Sequence, residues 1–145
     1  MKIILFLVVI TSIPFGVCGQ ENQIAGEYGK SSDPIHKHVV EWTVQLKDDG
    51  TFSYNFYRHL SCDSCEEENF SGKGTWTAEE KLITFETDVA KDLDSTYTMN
   101  FTNTKARFQS KSARNTSNKV IPDVLIFYES PLPEIQGLKL QKKKT

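Results

Sequence analysis

The side chains of this chain best suited to chemistry are a cysteine pair, Cys62-Asp63-Ser64-Cys65, and three histidines, His36, His38 and His59. Thiol–disulfide catalysis would need a stabilised thiolate, supplied by a helix N-terminus or by neighbouring cations. Here Glu66-Glu67-Glu68 follow the pair directly and their charge disfavours a thiolate, which Arg58 and His59 offset only in part. Two other readings of the pair stand side by side. In an exported chain two cysteines form a disulfide. The ring closed by Cys62 and Cys65 is short, so such a staple would be worth no more than about 2 kcal/mol. The second reading is a metal site. His59-x-x-Cys62-x-x-Cys65, with His36 or His38 as fourth ligand, offers thiolate and imidazole donors of the kind that suit zinc or copper(I). The disulfide reading requires no cofactor.

No other chemistry is signalled. The chain has no local serine–histidine–aspartate motif, no phosphate-binding glycine loop and no His-Glu-x-x-His. The carboxylates Asp48, Asp49, Glu79 and Glu80 fall at expected turns, where turn chemistry accounts for them. No catalytic residue is therefore expected, and the protein is read as a non-enzyme. The second constellation is aromatic: Trp42, Phe52, Tyr54, Phe56, Trp76 and Phe85 are expected to face one space. Large aromatics dominate core burial. The same side chains, in particular Trp42, Tyr54, Phe56, Trp76 and Phe85, would line a site for a small hydrophobic ligand in the barrel interior; a purely structural or surface-interaction domain is the alternative, beside the metal site.

The elements that position these residues are strands. Val40, Trp42, Val44 and Leu46 alternate with Glu41, Thr43 and Gln45, which is the period of a half-buried strand. Phe52, Tyr54 and Phe56 alternate with Ser53 and Asn55. A two-residue Asp49-Gly50 loop would pair apolar with polar side chains across the hairpin. A three-residue loop, Asp48 to Gly50, sets Phe52 opposite Leu46, Tyr54 opposite Val44 and Phe56 opposite Trp42, and the pattern selects this register. Gly50 then takes the left-handed position of the turn. Carried further, the register brings His38 near Leu60 and His36 near Cys62, gathering the histidines and cysteines at one end of the sheet. A third strand over Ser71–Thr77 follows, with Gly72 and Gly74 leaving room beneath the Tyr54 and Phe56 rings. After a turn at Glu79-Glu80, Ile83 and Phe85 continue the inner face opposite Trp76 and Gly74.

Outside this meander, Ile24–Tyr28 reads as a first strand and Val89–Leu93 as a helical turn. Tyr97, Met99 and Phe101 alternate as another strand, and Ala106, Phe108 and Ser110 suggest a further one. Leu125-Ile126-Phe127-Tyr128 reads as a strand covered on both faces. Ile135, Leu138 and Leu140 belong to the last, with Gly137 as a bulge. The fold class is all-β. Eight to nine short strands in sequential order favour an antiparallel up-and-down β-barrel over a sandwich.

Met1-Lys2, the apolar run from Ile3 to Ile10 and the small-residue exit ending at Gly19 read as a secretory signal peptide over residues 1–19. The barrel domain is expected over 20–141 and a basic tail over 142–145. The chain is expected to be exported, secreted or held in the periplasm or cell envelope. Lipid attachment at Cys18 is the rival to cleavage before Gln20. The formal charge of the 145-residue chain is −2, and one unit more negative once Lys2 leaves. That balance argues against a nucleic-acid partner. No transmembrane segment is expected, and a monomer is.

Gly26-Glu27-Tyr28, Asp49-Gly50-Thr51-Phe52 and Gly72-Lys73-Gly74-Thr75-Trp76 together resemble the motifs of small exported lipocalin-like proteins of bacteria. The resemblance implies a closed antiparallel barrel with a ligand-sized interior. It also bears on Asn69-Phe70-Ser71, Asn100-Phe101-Thr102 and Asn115-Thr116-Ser117, each of which matches the N-glycosylation acceptor. In a bacterial chain these are chance matches.

Overall fold

The computed structural model describes residues 21–32 and 38–144. The expected signal segment, Cys18 and His36 lie outside the described residues. Among the described residues there are nine strands: β1 (Gly26–Ser31), β2 (Val39–Leu46), β3 (Thr51–His59), β4 (Glu68–Glu79), β5 (Leu82–Glu86), β6 (Tyr97–Met99), β7 (Thr104–Gln109), β8 (Val124–Glu129) and β9 (Lys139–Lys142). Two short helices, α1 (Glu21–Ile24) and α2 (Val89–Asp92), accompany them. Leaving β6 aside, each strand pairs antiparallel with the next, and β9 returns to β1. The result is a closed eight-stranded antiparallel up-and-down barrel. The ninth strand, β6, lies parallel to β4 beside the point where β5 ends.

The β2–β3 hairpin has the register that side-chain alternation selects: Leu46 opposite Phe52, Val44 opposite Tyr54 and Trp42 opposite Phe56. Gly50 sits at φ 79°, and Asp49 accepts hydrogen bonds from the backbone and hydroxyl of Thr51. Residues directly opposite in antiparallel strands share a face. The inner face is thus built in tiers. One tier is Leu46, Phe52 and Gly74; the next is Tyr28, Val44, Tyr54 and Gly72; the third is Lys30, Trp42, Phe56 and Phe70. The intervening outer positions, such as Glu27, Gln45, Ser53 and Lys73, are polar.

The middle of the barrel is filled by rings. Phe52 packs on Phe85 and Phe101 at centroid distances of 5.0 and 5.2 Å, and Tyr54 packs on Phe101 at 5.1 Å. Phe85 reaches Phe127 at 5.3 Å on the far wall. Ile24 of α1 closes the end where β1 begins, and Tyr28 donates its hydroxyl to the Ile24 carbonyl. At the opposite end, Leu132 and Ile135 from the β8–β9 connection pack against the core, with Ile135 wholly buried.

Several expectations are corrected. The space above Gly72 belongs to another ring, a Cβ there lying 2.5 Å from Phe101, and the space above Gly74 to the Glu86 backbone, whose carbonyl oxygen a Cβ would meet at 2.1 Å, with Phe52 at 3.0 Å. In the β4–β5 hairpin Phe85 faces Trp76 and Ile83 faces Ala78, two residues from the expected register. The cause is a tight Glu80-Lys81 turn, with Glu80 held at φ 57°, which pairs Glu79 with Leu82. A slip of two keeps every side chain on its face. Phe101 is not in a strand: β6 stops at Met99, and the Phe101 backbone N–H donates to the Thr87 hydroxyl at 3.0 Å. Strand β8 is covered on one face only, for Leu125 and Phe127 are buried while Tyr128 is exposed. Ile135 and Leu138 precede β9, which runs on through Lys142 into the expected tail.

Candidate functional site

The site is assembled at the end of the barrel where β3 finishes and β4 begins. Trp42, Phe56 and Phe70 come from three adjacent strands and share a tier, because their Cα positions pair directly. Trp42 and Phe56 are 5.5 Å apart between ring centroids, and Phe56 and Phe70 stack at 6.0 Å with 13° between their planes. Lys30 ends the row, its Nζ 5.3 Å from the centre of the Trp42 ring. One tier closer to the opening, Arg58 of β3 faces Glu68 of β4, and the two side chains form an ion pair.

A cleft of about 230 Å³ opens between this row and the connection that follows β8. Its walls are Tyr54, Phe56, Phe70 and Met99, and its polar rim is Arg58, Glu68 and Glu134. Phe70 points to the inner face yet is 45% exposed, which leaves a large apolar ring facing the opening rather than packed away. Tyr54 is buried below it. Burial raises its phenol pKa, and the Glu134 carboxylate adds to the effect, so the hydroxyl stays protonated. Glu134 forms no ion pair among the described residues.

Of the expected ligand-facing aromatics, Tyr54 and Phe56 line the cleft. Trp42 backs Phe56, half-buried. Trp76 and Phe85 lie deeper, buried in the packed middle and the turn end, where Trp76 Nε1 donates to Lys47 O at 3.0 Å. Phe70, Met99, Arg58 and Glu134 were not expected at the site. Phe70 was within reach of the pattern, since continuing the Gly72-Gly74-Trp76 face back by one step lands on it. Nothing local signals Glu134, which arrives on a loop between strands.

Cys62 and Cys65 are joined as a disulfide with Cα atoms 5.3 Å apart. The loop they staple leaves β3 at the same end of the barrel. His38 is near it, accepting at Nδ1 from the Ser61 backbone N–H at 3.2 Å, as the hairpin register implies. His59 Nδ1 lies 3.3 Å from a Glu67 carboxylate oxygen, without hydrogen-bond geometry. Among the described residues no three His, Cys, Asp or Glu side chains gather as a metal-ligand set. His36, the fourth expected ligand, lies outside the described residues.

No helix among the described residues is long and apolar enough to cross a membrane. Comparison of the chain with protein-family models, with curated proteins and with solved structures returned no match.

Proposed function

We propose that this chain is an exported, lipocalin-like, non-catalytic binding module that takes a small ligand with an apolar body at the mouth of its barrel. The observation that carries this reading is Phe70: a large ring on the inner face, exposed, stacked on Phe56 and bordering an open cleft. A buried-core role would have hidden that ring, since exposing it forfeits about 1.5–3 kcal/mol of burial. The mouth is favoured over mid-barrel because Phe52, Phe85 and Phe101 occupy the middle in mutual contact. The cleft volume of about 230 Å³ is below the roughly 300–1,000 Å³ of drug-sized pockets, so the ligand is a small one.

The test is a titration of the disulfide-bonded protein with phenethyl alcohol, followed by backbone amide chemical shifts. Saturable shifts centred on Phe56, Phe70 and Met99, weakened several-fold by Phe70→Ala, are expected. Absence of saturable shifts, or shifts gathered elsewhere on the barrel, would overturn the reading.

A further inference from the structure

From the charges around this cleft we infer that its ligand is an organic cation, an amine or quaternary ammonium group carried on an apolar body. This rests on the binding reading above and names the class of ligand. Three charged side chains rim the cleft, Arg58, Glu68 and Glu134. Arg58 and Glu68 neutralise each other as an ion pair. Among the described residues Glu134 is in no ion pair, and it stands beside an aromatic wall, so the described rim of the cleft carries a net negative charge. A cation entering it gains that carboxylate and the exposed Phe70 ring, backed by Phe56, whose quadrupole attracts positive charge.

The row of rings already holds one cation. Lys30 places its ammonium group over Trp42 at one end of the Trp42–Phe56–Phe70 row. At the other end the Phe70 ring is open. The disulfide loop adds Asp63, Glu66 and Glu67, all exposed, at the same end of the barrel. Their field favours approach of a cation at low ionic strength. An anionic ligand faces the opposite balance: it meets Glu134 directly, and the Arg58 charge is already offset by Glu68.

Three ligands of nearly one shape separate the outcomes: phenethylamine, phenethyl alcohol and phenylacetate, titrated calorimetrically into the disulfide-bonded protein at low salt. The amine is expected to bind about fivefold more tightly than the alcohol, and phenylacetate more weakly than either. Glu134→Gln is expected to lower the amine-to-alcohol ratio to about twofold, the remainder coming from the rings; Glu134 is exposed, and a thermal melt checks that the variant is folded. Equal or tighter binding of the alcohol would overturn the charge preference while leaving an apolar cleft binder. An undiminished ratio in Glu134→Gln would also overturn it. Binding of none of the three would overturn both this inference and the function on which it rests.

Discussion

The packing of Phe101 over Gly72 predicts a strong energetic coupling between two residues that are far apart in sequence. Phe101 is wholly buried and touches Phe52, Tyr54 and Phe85. Phe101→Ala should therefore cost about 3–5 kcal/mol, a large part of the roughly 5–15 kcal/mol that holds a domain folded. Gly72 is not at positive φ, so its backbone suits alanine. In a strand, that replacement alone would stabilise by about 0.5–1 kcal/mol. The new methyl, however, would sit 2.5 and 2.9 Å from two ring carbons of Phe101, and 3.2 Å from Met99 O. Overpacking of this kind costs about 1–3 kcal/mol, so Gly72→Ala should be net destabilising in the native background. Once Phe101 is alanine, the ring is gone and only the Met99 carbonyl must give. Gly72→Ala should then be near neutral or stabilising. The double-mutant cycle should show a favourable coupling of about 2 kcal/mol, well beyond the 0.3–0.5 kcal/mol scatter of independent sites. Equilibrium urea unfolding of the four proteins, followed by tryptophan fluorescence, measures it. Additive changes would refute the placement of the Phe101 ring against Gly72, and with it the account of a ring-filled barrel.

Replacing both Cys62 and Cys65 by alanine should lower stability by no more than about 2 kcal/mol, because the ring they close is short. A denaturant titration reads this, and intact mass under denaturing conditions, two hydrogens below the reduced chain, checks the bond itself. Asp49 and Asp94 have their carboxyl pKa values lowered, Asp49 by Thr51 and Asp94 by the backbone N–H groups of Tyr97 and Thr96. A lowered folded pKa gives stability that is present above the unfolded value of about 3.9 and lost as pH falls through the folded one. Asp49→Asn and Asp94→Asn should each flatten the acid limb of a melting-temperature profile below about pH 4, and an unchanged limb would count against the two turns. Tyr28 and Tyr54 are shifted upward, chiefly by burial, with Asp123 and Glu134 adding to it respectively. Stability linked to them is complete below the unfolded phenol pKa of about 10 and falls as pH rises above it. Their phenolate absorbance should appear together with alkaline unfolding, and ionisation of either in the folded protein would contradict its burial.

Face membership along a strand is a local property, and that is why the core could be read from the sequence while the site could be read only in part. Alternation on both arms of the β2–β3 hairpin left one register in which apolar met apolar, and Gly50 confirmed the turn. The β4–β5 hairpin gave no such check. Its left-handed turn residue is Glu80, which announces nothing, and a register wrong by two residues satisfies the same alternation. Phe101 shows the same limit from the other side. It is in phase with Tyr97 and Met99, so its burial is legible, but the strand ends before it. Side chains replace the ladder there: Thr87 receives the Phe101 N–H and bonds Lys73 O, and Asn100 receives the Thr102 N–H. Phe70 was legible in principle, being one step back along the inner face of β4. What makes it part of a cleft and not of the core is the path of the β8–β9 connection, which buries Ile135 while bringing Glu134 to the rim facing β3 and β4. That docking depends on contacts some eighty residues distant along the chain, for which a period of two carries no information. The charge of the cleft therefore rests on tertiary structure. The aromatic row that would bind the body of a ligand is, by contrast, written in the strands.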